Sequence, residues 1–543
     1  SFNSSQFDKY FRINTKINMI FSTYTGNAML NNALMTIEVL AGLKSVGEIT
    51  PDILLKQFNE RKLWEINRRM KSYTMLFTRN GPLLNDAKLG EAIYRQLITK
   101  ILSNVETEGQ YQCEISGLRF NTTFADWYAQ VLRDLKVPEK EIEKKDRTIN
   151  RCWFPLIGAL GSDAQALPQA KFDIRIHPIY LVVIQFLPLS ALLYKGGVLL
   201  FDAANFEFAK DFIDIGVERV QEQISLTPTD QSVENIKDYD KGKYLLRAIE
   251  LFGRKQNLYG DRYTDINLWS FTNSGTGASC EVDRVPSRIF RDLLHLYKKS
   301  DCQYDLIRIL NGGYSNNFIN SLKNSWDYEG LYPKKDYEGV TIPFYEEYQR
   351  LIGRADHLAY AKYISSLIKQ ATLAKGDEKL LLKTDAFNQP EYAPLIQKVL
   401  VEAAGKGEWS LANHLDILDD PEALPVQSYT KGIFRKVHYY FQKFGEWQPV
   451  ASVEPGDKLE KTIAGKTCAF AIRVIEKDGE ENFKSHQKML KNLQEYNGFS
   501  LAPTLVRQCQ ELSLPQAVSF FFNNYRLAHY GLNFLLRVYF SQK

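Results

Sequence analysis

The residues best suited to contact another molecule lie in the stretch Leu268–Phe290, which reads LWSFTNSGTGASCEVDRVPSRIF. A strand-like apolar run ends there, and a second short run leads through Pro286 into a predicted helix. The polar loop between them contains two glycines, whose lack of a Cβ atom lets the backbone approach a partner closely. Successive N–H groups in such turns bind anions, so we expect a phosphate-bearing partner; a turn that binds nothing is the alternative. The candidate contact residues are Asn273, Ser274, Gly275, Thr276 and Gly277.

The chain lacks the sequence patterns that common catalytic sites require. It has no P-loop and no GxSxG elbow, and the Gly-Thr-Gly of the loop lacks the lysine and third glycine of nucleotide-binding motifs. Its six cysteines and seven histidines are scattered without CxxC or HExxH spacing. The spacing of Cys280 and His295 is too ordinary to indicate a nucleophile and its base. We therefore expect a binding or assembly protein without catalytic residues, cofactor or metal.

Two basic segments are candidates for binding nucleic-acid phosphates. In a predicted helical segment over residues 46–71, the side chains of Arg61, Arg68 and Lys71 share one side. In a predicted helix over residues 428–444, Lys431, Arg435 and His438 share a cationic face opposite an apolar stripe, and Lys436 adjoins them. A solvated helix face that binds nothing is the alternative for both segments.

The composition indicates a globular protein with more than one domain. The chain has 543 residues, of which 44% are hydrophobic and 24% charged, and its net charge is only +4. The longest apolar run, Ile179–Leu193, is shorter than the ~20 residues of a membrane-spanning helix and predicts a buried strand followed by a helix. Because the N-terminus does not resemble a secretory signal, we expect a cytoplasmic protein without membrane contact.

Residue periodicity predicts an α+β fold. A mixed α/β N-terminal domain is expected over residues 1–345 and an all-α helical bundle over residues 346–543. Within the first domain, a helix is predicted to end at Gly42, and Thr50 with Pro51 predicts the start of another. The chain also predicts a strand after residue 72, a helix over 88–103, a hairpin over 109–120 and an irregular polar and aromatic segment over 311–339.

Three segments resemble the large subunit of type I-B CRISPR Cascade complexes. Residues 23–55, TYTGNAMLNNALMTIEVLAGLKSVGEITPDIL, resemble the opening of that family, with Ala28 in the place of a proline. Residues 271–290 are similar to its Asn-Ser-Gly-x-Gly segment and the proline-led helix that follows. The third similarity comprises CEISG (113–117) and CWFPLIGALGSDAQALP (152–168). The resemblance extends over residues 23–300 of the chain.

This resemblance implies a non-catalytic subunit that lies at the 5′ end of the crRNA and recognises a protospacer-adjacent motif in double-stranded target DNA. Such a subunit aids strand separation and R-loop formation in antiviral defence. The implied partners are the crRNA, the target DNA, the backbone, crRNA 5′-end and small subunits of Cascade, and a helicase-nuclease. Loop 273–277 would contact base edges, and the C-terminal bundle, similar to a Cascade small subunit, would contact phosphates.

The same resemblance bears on metal binding. Many relatives carry cysteine pairs around the regions of Cys113 and Cys152, which suggests a zinc-binding insert. Here Ser116 stands where a second cysteine is expected, and no CxxC follows Cys152, so we expect no zinc site.

Three other functions remain open at this point. The equivalent subunit of a CRISPR-guided transposition complex would have the same sequence features and differ in its downstream partner. A scaffold subunit would hold its neighbours without touching DNA directly. An enzyme acting on nucleotides would need a metal or phosphate motif that the sequence lacks.

Overall fold

The chain forms two compact units in the computed structural model. The first unit comprises Ser1–Lys298 with Leu306–Asn316, and the second comprises Lys299–Asp305 with Asn317–Lys543. The structure describes residues 20–77, 88–156, 175–194, 197–233, 241–260, 264–272, 279–334, 336–355, 358–359, 361–363, 365–366, 369 and 433–447.

Helices make up most of the described residues, and short strands make up two sheets. The helices include, in chain order, α1 (Ala28–Ala41), α2 (Pro51–Glu60), α3 (Leu63–Arg69), α4 (Lys71–Leu76), α5 (Gly90–Ser103), α6 (Phe124–Asp134), α7 (Glu139–Lys144), α8 (Pro178–Val183), α9 (Phe206–Leu226), α10 (Lys241–Tyr259), α11 (Ser287–Lys298), α12 (Ser300–Asn311), α13 (Ser315–Asn324), α14 (Ile342–Leu351) and α15 (Ile433–Gln442). The strands are β1 (Tyr111–Gln112), β2 (Arg119–Phe120), β3 (Leu192–Tyr194), β4 (Gly197–Ala203), β5 (Ile266–Thr272) and β6 (Ser279–Val285).

Both sheets are antiparallel, and their combination with the helices confirms the predicted α+β class. Strands β1 and β2 form the hairpin predicted over residues 109–120. The larger sheet has the order β3-β4-β5-β6, with α9 and α10 inserted in the chain between β4 and β5. Strand β6 is therefore an edge strand, and the hairpin β5–β6 forms one side of the sheet.

Several helix ends follow directly from the capping residues that the sequence predicts. The Asn27 side chain accepts a hydrogen bond from the Leu30 N–H at 3.0 Å, and Gly42 ends α1 in the left-handed conformation with φ of 67°. Thr50 caps α2 through its side chain, and Pro51 occupies the first turn. These starts and stops confirm the predictions for α1 and for the start of α2.

Two apolar segments fold differently from the prediction. The run Ile179–Leu193 was expected to be a strand followed by a helix, but α8 and a 3-10 helix, Ile184–Leu189, come first and β3 follows them. A strand was expected to begin after residue 72, but the residues from Tyr73 to Leu76 belong to helix α4. In fully buried or very short apolar runs, both helix and strand bury every side chain, so periodicity does not distinguish them.

Helix α1 lies at the centre of the first unit. It packs against β4, α9 and the 3-10 helix Ile184–Leu189. The Asn32 amide donates to the Phe201 carbonyl at 2.8 Å, and the hydroxyls of Thr36 and Ser190 are 2.6 Å apart. These buried hydrogen bonds tie α1 both to the sheet and to the segment that precedes it.

The second unit begins well before the predicted boundary at residue 345. Residues 311–339, predicted to be irregular, contain α13, whose Phe318 ring lies 5.7 Å from that of Tyr348 in α14. Tyr345 of α14 stacks on Tyr439 of α15 at 3.8 Å between ring centroids. Because these aromatic contacts hold residues 317–345 to α14, this segment belongs to the second unit. The rest of the predicted bundle lies outside the described residues.

Candidate nucleic-acid interface

The candidate loop connects the last two strands of the larger sheet. Strand β5 ends at Thr272 and β6 begins at Ser279, and these two residues are paired across the ladder. The predicted contact residues, Asn273, Ser274, Gly275, Thr276 and Gly277, thus join the two strands of a β-hairpin and themselves lie outside the described residues. Pro286 and α11 follow β6, which confirms the predicted proline-led helix.

A buried lysine holds one face of strand β6. The Lys241 side chain, at the start of α10, is only 8% exposed, contacts the Asp283 carboxylate and lies 3.6 Å from the Glu281 carboxylate. A charged group this far from water is stable only when it is paired with opposite charge. The pairing therefore fixes the β6 side of the hairpin to α10.

Asp265 connects the base of the hairpin to the helix after it. Its carboxylate accepts hydrogen bonds from the Arg284 guanidinium on β6 and from the Ser287 N–H of α11, the latter at 2.8 Å. The Arg284 hydrogen bond, followed by that of Ser287, lowers the pKa of Asp265. The carboxylate is thus ionised at neutral pH, and it keeps strand and helix in a fixed relation below the loop.

The first basic segment is not a continuous helix, so the predicted shared side of Arg61, Arg68 and Lys71 is wrong. Lys62 has φ of 46°, which ends α2 and turns the chain into α3. Met70 is extended and separates α3 from α4. The three basic residues accordingly lie on successive elements and not on one helical face.

Arg61 is a structural residue, which corrects its predicted role as a phosphate contact. Its guanidinium donates hydrogen bonds to the side chains of Gln57 at 3.0 Å and Gln221 at 2.9 Å, and to the Leu40 carbonyl at 3.2 Å. These bonds join α2 to α9 and to the end of α1. They engage three of the five N–H donors of the guanidinium.

Arg68 and Lys71 are exposed and remain candidates for phosphate contact. The Arg68 guanidinium lies 3.4 Å from the Glu91 carboxylate of α5, which also lies 3.5 Å from the Arg95 guanidinium. Sequence reasoning missed Arg95. The i, i+4 spacing of Glu91 and Arg95 would have placed both on one helix face, but only the fold brings that face to Arg68.

The second basic segment differs from its predicted exposed cationic face. Lys436 is 1% exposed and His438 2% exposed, so neither is available to a phosphate, and the predicted role of Lys436 is wrong. Burial lowers the pKa of His438 to about 4, which keeps its ring neutral at neutral pH. Lys431 and the Arg435 side chain lie outside what the structure describes. Helix α15 therefore buries part of its polar face, including Lys436 and His438, as well as its apolar stripe.

Among the described residues, the cysteines and acidic side chains form no group that could hold a metal ion. Burial, together with the Glu281 charge, raises the pKa of the Cys280 thiol, which disfavours the nucleophilic thiolate. Ser116, which replaces the cysteine expected after Cys113, accepts a hydrogen bond from the Leu118 N–H at 3.3 Å. Across the described ranges, no three His, Cys, Asp or Glu side chains converge on one point.

Comparison with known proteins identifies no relative. The chain matches no protein-family model, no curated protein and no solved structure. None of the helices in the described part of the chain is both long enough and apolar enough to cross a membrane.

Proposed function

We propose that this chain is the large, non-catalytic DNA-recognition subunit of a type I-B-like CRISPR Cascade complex in the cytoplasm. In this role it reads a short flanking motif in duplex DNA, while guide pairing reads the target sequence. It aids strand separation and R-loop formation and supports recruitment of a helicase-nuclease. Its other partners are the crRNA and the backbone, crRNA 5′-end and small subunits.

The position of loop 273–277 carries this proposal. The segment that resembles the family's Asn-Ser-Gly-x-Gly motif joins two paired strands, and the proline-led helix follows where the resemblance expects it. Amide and hydroxyl side chains in the loop between two such strands can pair with base edges in the major groove of B-DNA. Asn273 and Ser274 would supply those groups, and Gly275 and Gly277 would allow the close approach.

The anchoring of the hairpin supports the same role. Lys241 and Asp265 fix the strands and the following helix by charge pairs and hydrogen bonds. A reading element held in place before DNA arrives loses less conformational entropy on binding than a free loop. The hairpin base is therefore suited to presenting a short loop to a ligand.

The test uses the complete complex, assembled with a guide RNA, and a DNA library that has a fixed target and randomised flanking bases. We expect the wild-type complex to enrich a subset of flanking sequences. Asn273→Ala and Gly275→Asp should reduce that enrichment, because the first removes a base-pairing amide and the second places a bulky negative charge in the close-contact position. Subunit and guide RNA content should stay unchanged.

Asn104→Ala is the matched control, because it removes an exposed amide that follows α5 and donates to the Lys100 carbonyl of the same helix. Its enrichment should equal that of the wild type. Unchanged flanking selectivity in both loop variants would reject loop 273–277 as the reader. A wild-type complex that assembles but does not bind DNA would favour the scaffold role instead.

A further inference from the structure

Glu91 lies between two arginine side chains on the surface of the first unit. One of its carboxylate oxygens is 3.4 Å from the Arg68 guanidinium and the other is 3.5 Å from the Arg95 guanidinium. All three side chains are 39–49% exposed. Two positive charges thus converge on one negative charge, and the group has a net charge of +1.

Arg95 is held in this arrangement by an aromatic ring. Its guanidinium carbon lies 4.1 Å from the centroid of Trp64, and Trp64 itself packs on Phe58 at 5.3 Å between centroids. A cation over an indole face is attracted by the electron-rich ring, and this attraction orients the guanidinium without using its N–H donors. Helix α3 provides Arg68 and Trp64, and α5 provides Glu91 and Arg95, so two helices fix the group.

The contacts with Glu91 are looser than those of an ordinary exposed arginine pair in the same unit. Arg133 donates to the Glu139 carboxylate through two of its nitrogens, the shorter bond being 2.7 Å. The single carboxylate of Glu91, shared between two guanidinium groups, approaches neither closer than 3.4 Å. Exposed ion pairs contribute little free energy, so a phosphate of the densely charged DNA backbone can replace such a carboxylate.

We propose that Arg68 and Arg95 together bind a backbone phosphate of duplex DNA at the position now faced by Glu91. We call this group, with Glu91 and Trp64, the Arg68–Arg95 cluster. A backbone phosphate, like a carboxylate, offers two anionic oxygens, and these match the planar guanidinium fork. Glu91 competes for the same donors and weakens the site. The inference rests on the proposed function, since it assigns a phosphate contact to a chain that binds duplex DNA.

The test measures binding of the purified full chain to a short fluorescent DNA duplex by anisotropy over a series of salt concentrations. Arg68→Ala and Arg95→Ala should each weaken binding several-fold and reduce the slope of log K against log salt by about 1, because one phosphate contact is lost. Glu91→Gln should change binding in the opposite direction and strengthen it several-fold. If the ion pair only stabilised the fold, loss of Glu91 and loss of either arginine would be expected to change DNA binding in the same direction.

Arg133→Ala and Glu139→Gln are the matched controls, because they remove the same side chains from an exposed pair and report the effect of net charge alone. Hydrogen exchange of α3 and α5 checks that each variant is folded. If Arg95→Ala weakens binding no more than Arg133→Ala, or Glu91→Gln strengthens it no more than Glu139→Gln, the inference is rejected.

Two further results separate this inference from the proposed function. If the losses occur with single-stranded RNA of the same sequence and not with the duplex, the assignment to DNA is wrong. If the wild-type chain does not bind the duplex at low salt while the assembled complex binds it, only the cluster is rejected; if neither binds it, the DNA-recognition function is rejected as well. If Arg95→Ala weakens DNA binding but Asn273→Ala leaves the selectivity for flanking bases unchanged, only the assignment of loop 273–277 is rejected.

Discussion

Glu38 is a carboxylate without exposed surface, and it links the two helices at the centre of the first unit. It lies in α1 and accepts hydrogen bonds from the Tyr24 hydroxyl at 2.5 Å and from the Lys210 ammonium of α9 at 3.3 Å. Burial raises the pKa of Glu38 above its ordinary value of 4.5, and the bonds from Tyr24 and Lys210 offset only part of that rise. The folded state consequently binds the Glu38 proton more tightly than the unfolded state does.

This difference predicts a pH dependence of stability. Because the folded pKa of Glu38 is raised, its contribution is fully present below pH 4.5 and is lost as the pH rises through the folded pKa. Glu38→Gln cannot ionise, so the free energy of opening of α1 in the wild type should fall relative to that of the variant from pH 4.5 toward neutral pH. Hydrogen exchange of the α1 amides over a series of pH values measures this free energy of opening in both proteins.

Glu60→Gln provides the control for this measurement. It removes an exposed carboxylate that lies 3.9 Å from Lys56 at the end of α2, and it reports how the loss of one surface charge affects exchange of the α1 amides. A constant difference between wild type and Glu38→Gln over the same range would show that the buried carboxylate does not titrate with a raised pKa.

Adjacent arginines show what residue type alone cannot predict. Arg68 is exposed beside Glu91, whereas the Arg69 guanidinium donates to the carbonyls of Thr227, Pro228 and Gln231 at 2.8–3.1 Å and holds that loop to α3. In the sequence, Arg68 and Arg69 are neighbouring residues of the same type, so residue type does not distinguish their roles. Their difference arises from contacts with residues more than 150 positions away, which local spacing does not encode.

At the scale of helices, close packing of α9 depends on Gly216. A Cβ atom at this position would lie 2.8 Å from the Ser190 carbonyl oxygen, which is closer than van der Waals contact allows. Gly216→Ala should therefore push α9 away from the segment that follows the 3-10 helix. Overpacking of this kind costs about 1–3 kcal/mol, which urea-dependent hydrogen exchange of α9 can measure.

Gly253 in α10 is the matched helical glycine. A Cβ atom there would meet the nearest side-chain atom of Leu294 at 3.5 Å, an ordinary contact. Gly253→Ala should stabilise α10 by roughly 0.5–1 kcal/mol, because alanine loses less backbone entropy in a helix. If Gly216→Ala changed the stability of α9 by the same amount as Gly253→Ala changes that of α10, α9 would be able to shift away from Ser190 without losing stability.

The elements that the sequence predicts well are those with local chemical signals. Asn27, Gly42 and Thr50 mark helix ends through their own hydrogen bonds and backbone preferences, and the hairpin β5–β6 follows from a polar, glycine-containing turn. Strand β3 and helix α8 lie in an apolar run that is buried on all sides, where alternation is lost. The break at Lys62 depends on a left-handed backbone that lysine adopts only with tertiary support.

At the scale of the whole molecule, a division into two domains was predicted, but the boundary was placed too late. The polar and aromatic residues 311–339 suggested a surface segment, because tyrosine and tryptophan are compatible with both surface and core. In the structure, Tyr332 and Tyr328 are almost fully buried, and the Tyr348 hydroxyl accepts the Tyr328 N–H at 3.0 Å. The Tyr332 hydroxyl donates to the Asp327 carboxylate and the Tyr348 hydroxyl to the Trp326 carbonyl, so both find internal partners, which composition alone does not show.

The chain divides into two compact units, so we predict that the two units unfold separately. Tyr439 in the second unit is fully buried and donates its hydroxyl proton to the Val340 carbonyl at 2.8 Å. Tyr439→Phe keeps the ring stack on Tyr345 but leaves that carbonyl unpaired, which costs about 1–3 kcal/mol. In urea-dependent hydrogen exchange, this loss should be confined to peptides of the second unit, as the loss from Gly216→Ala should be confined to the first. If either substitution lowered the stability of both units equally, the chain would unfold as one cooperative body, because a local loss of stability spreads only through a shared transition.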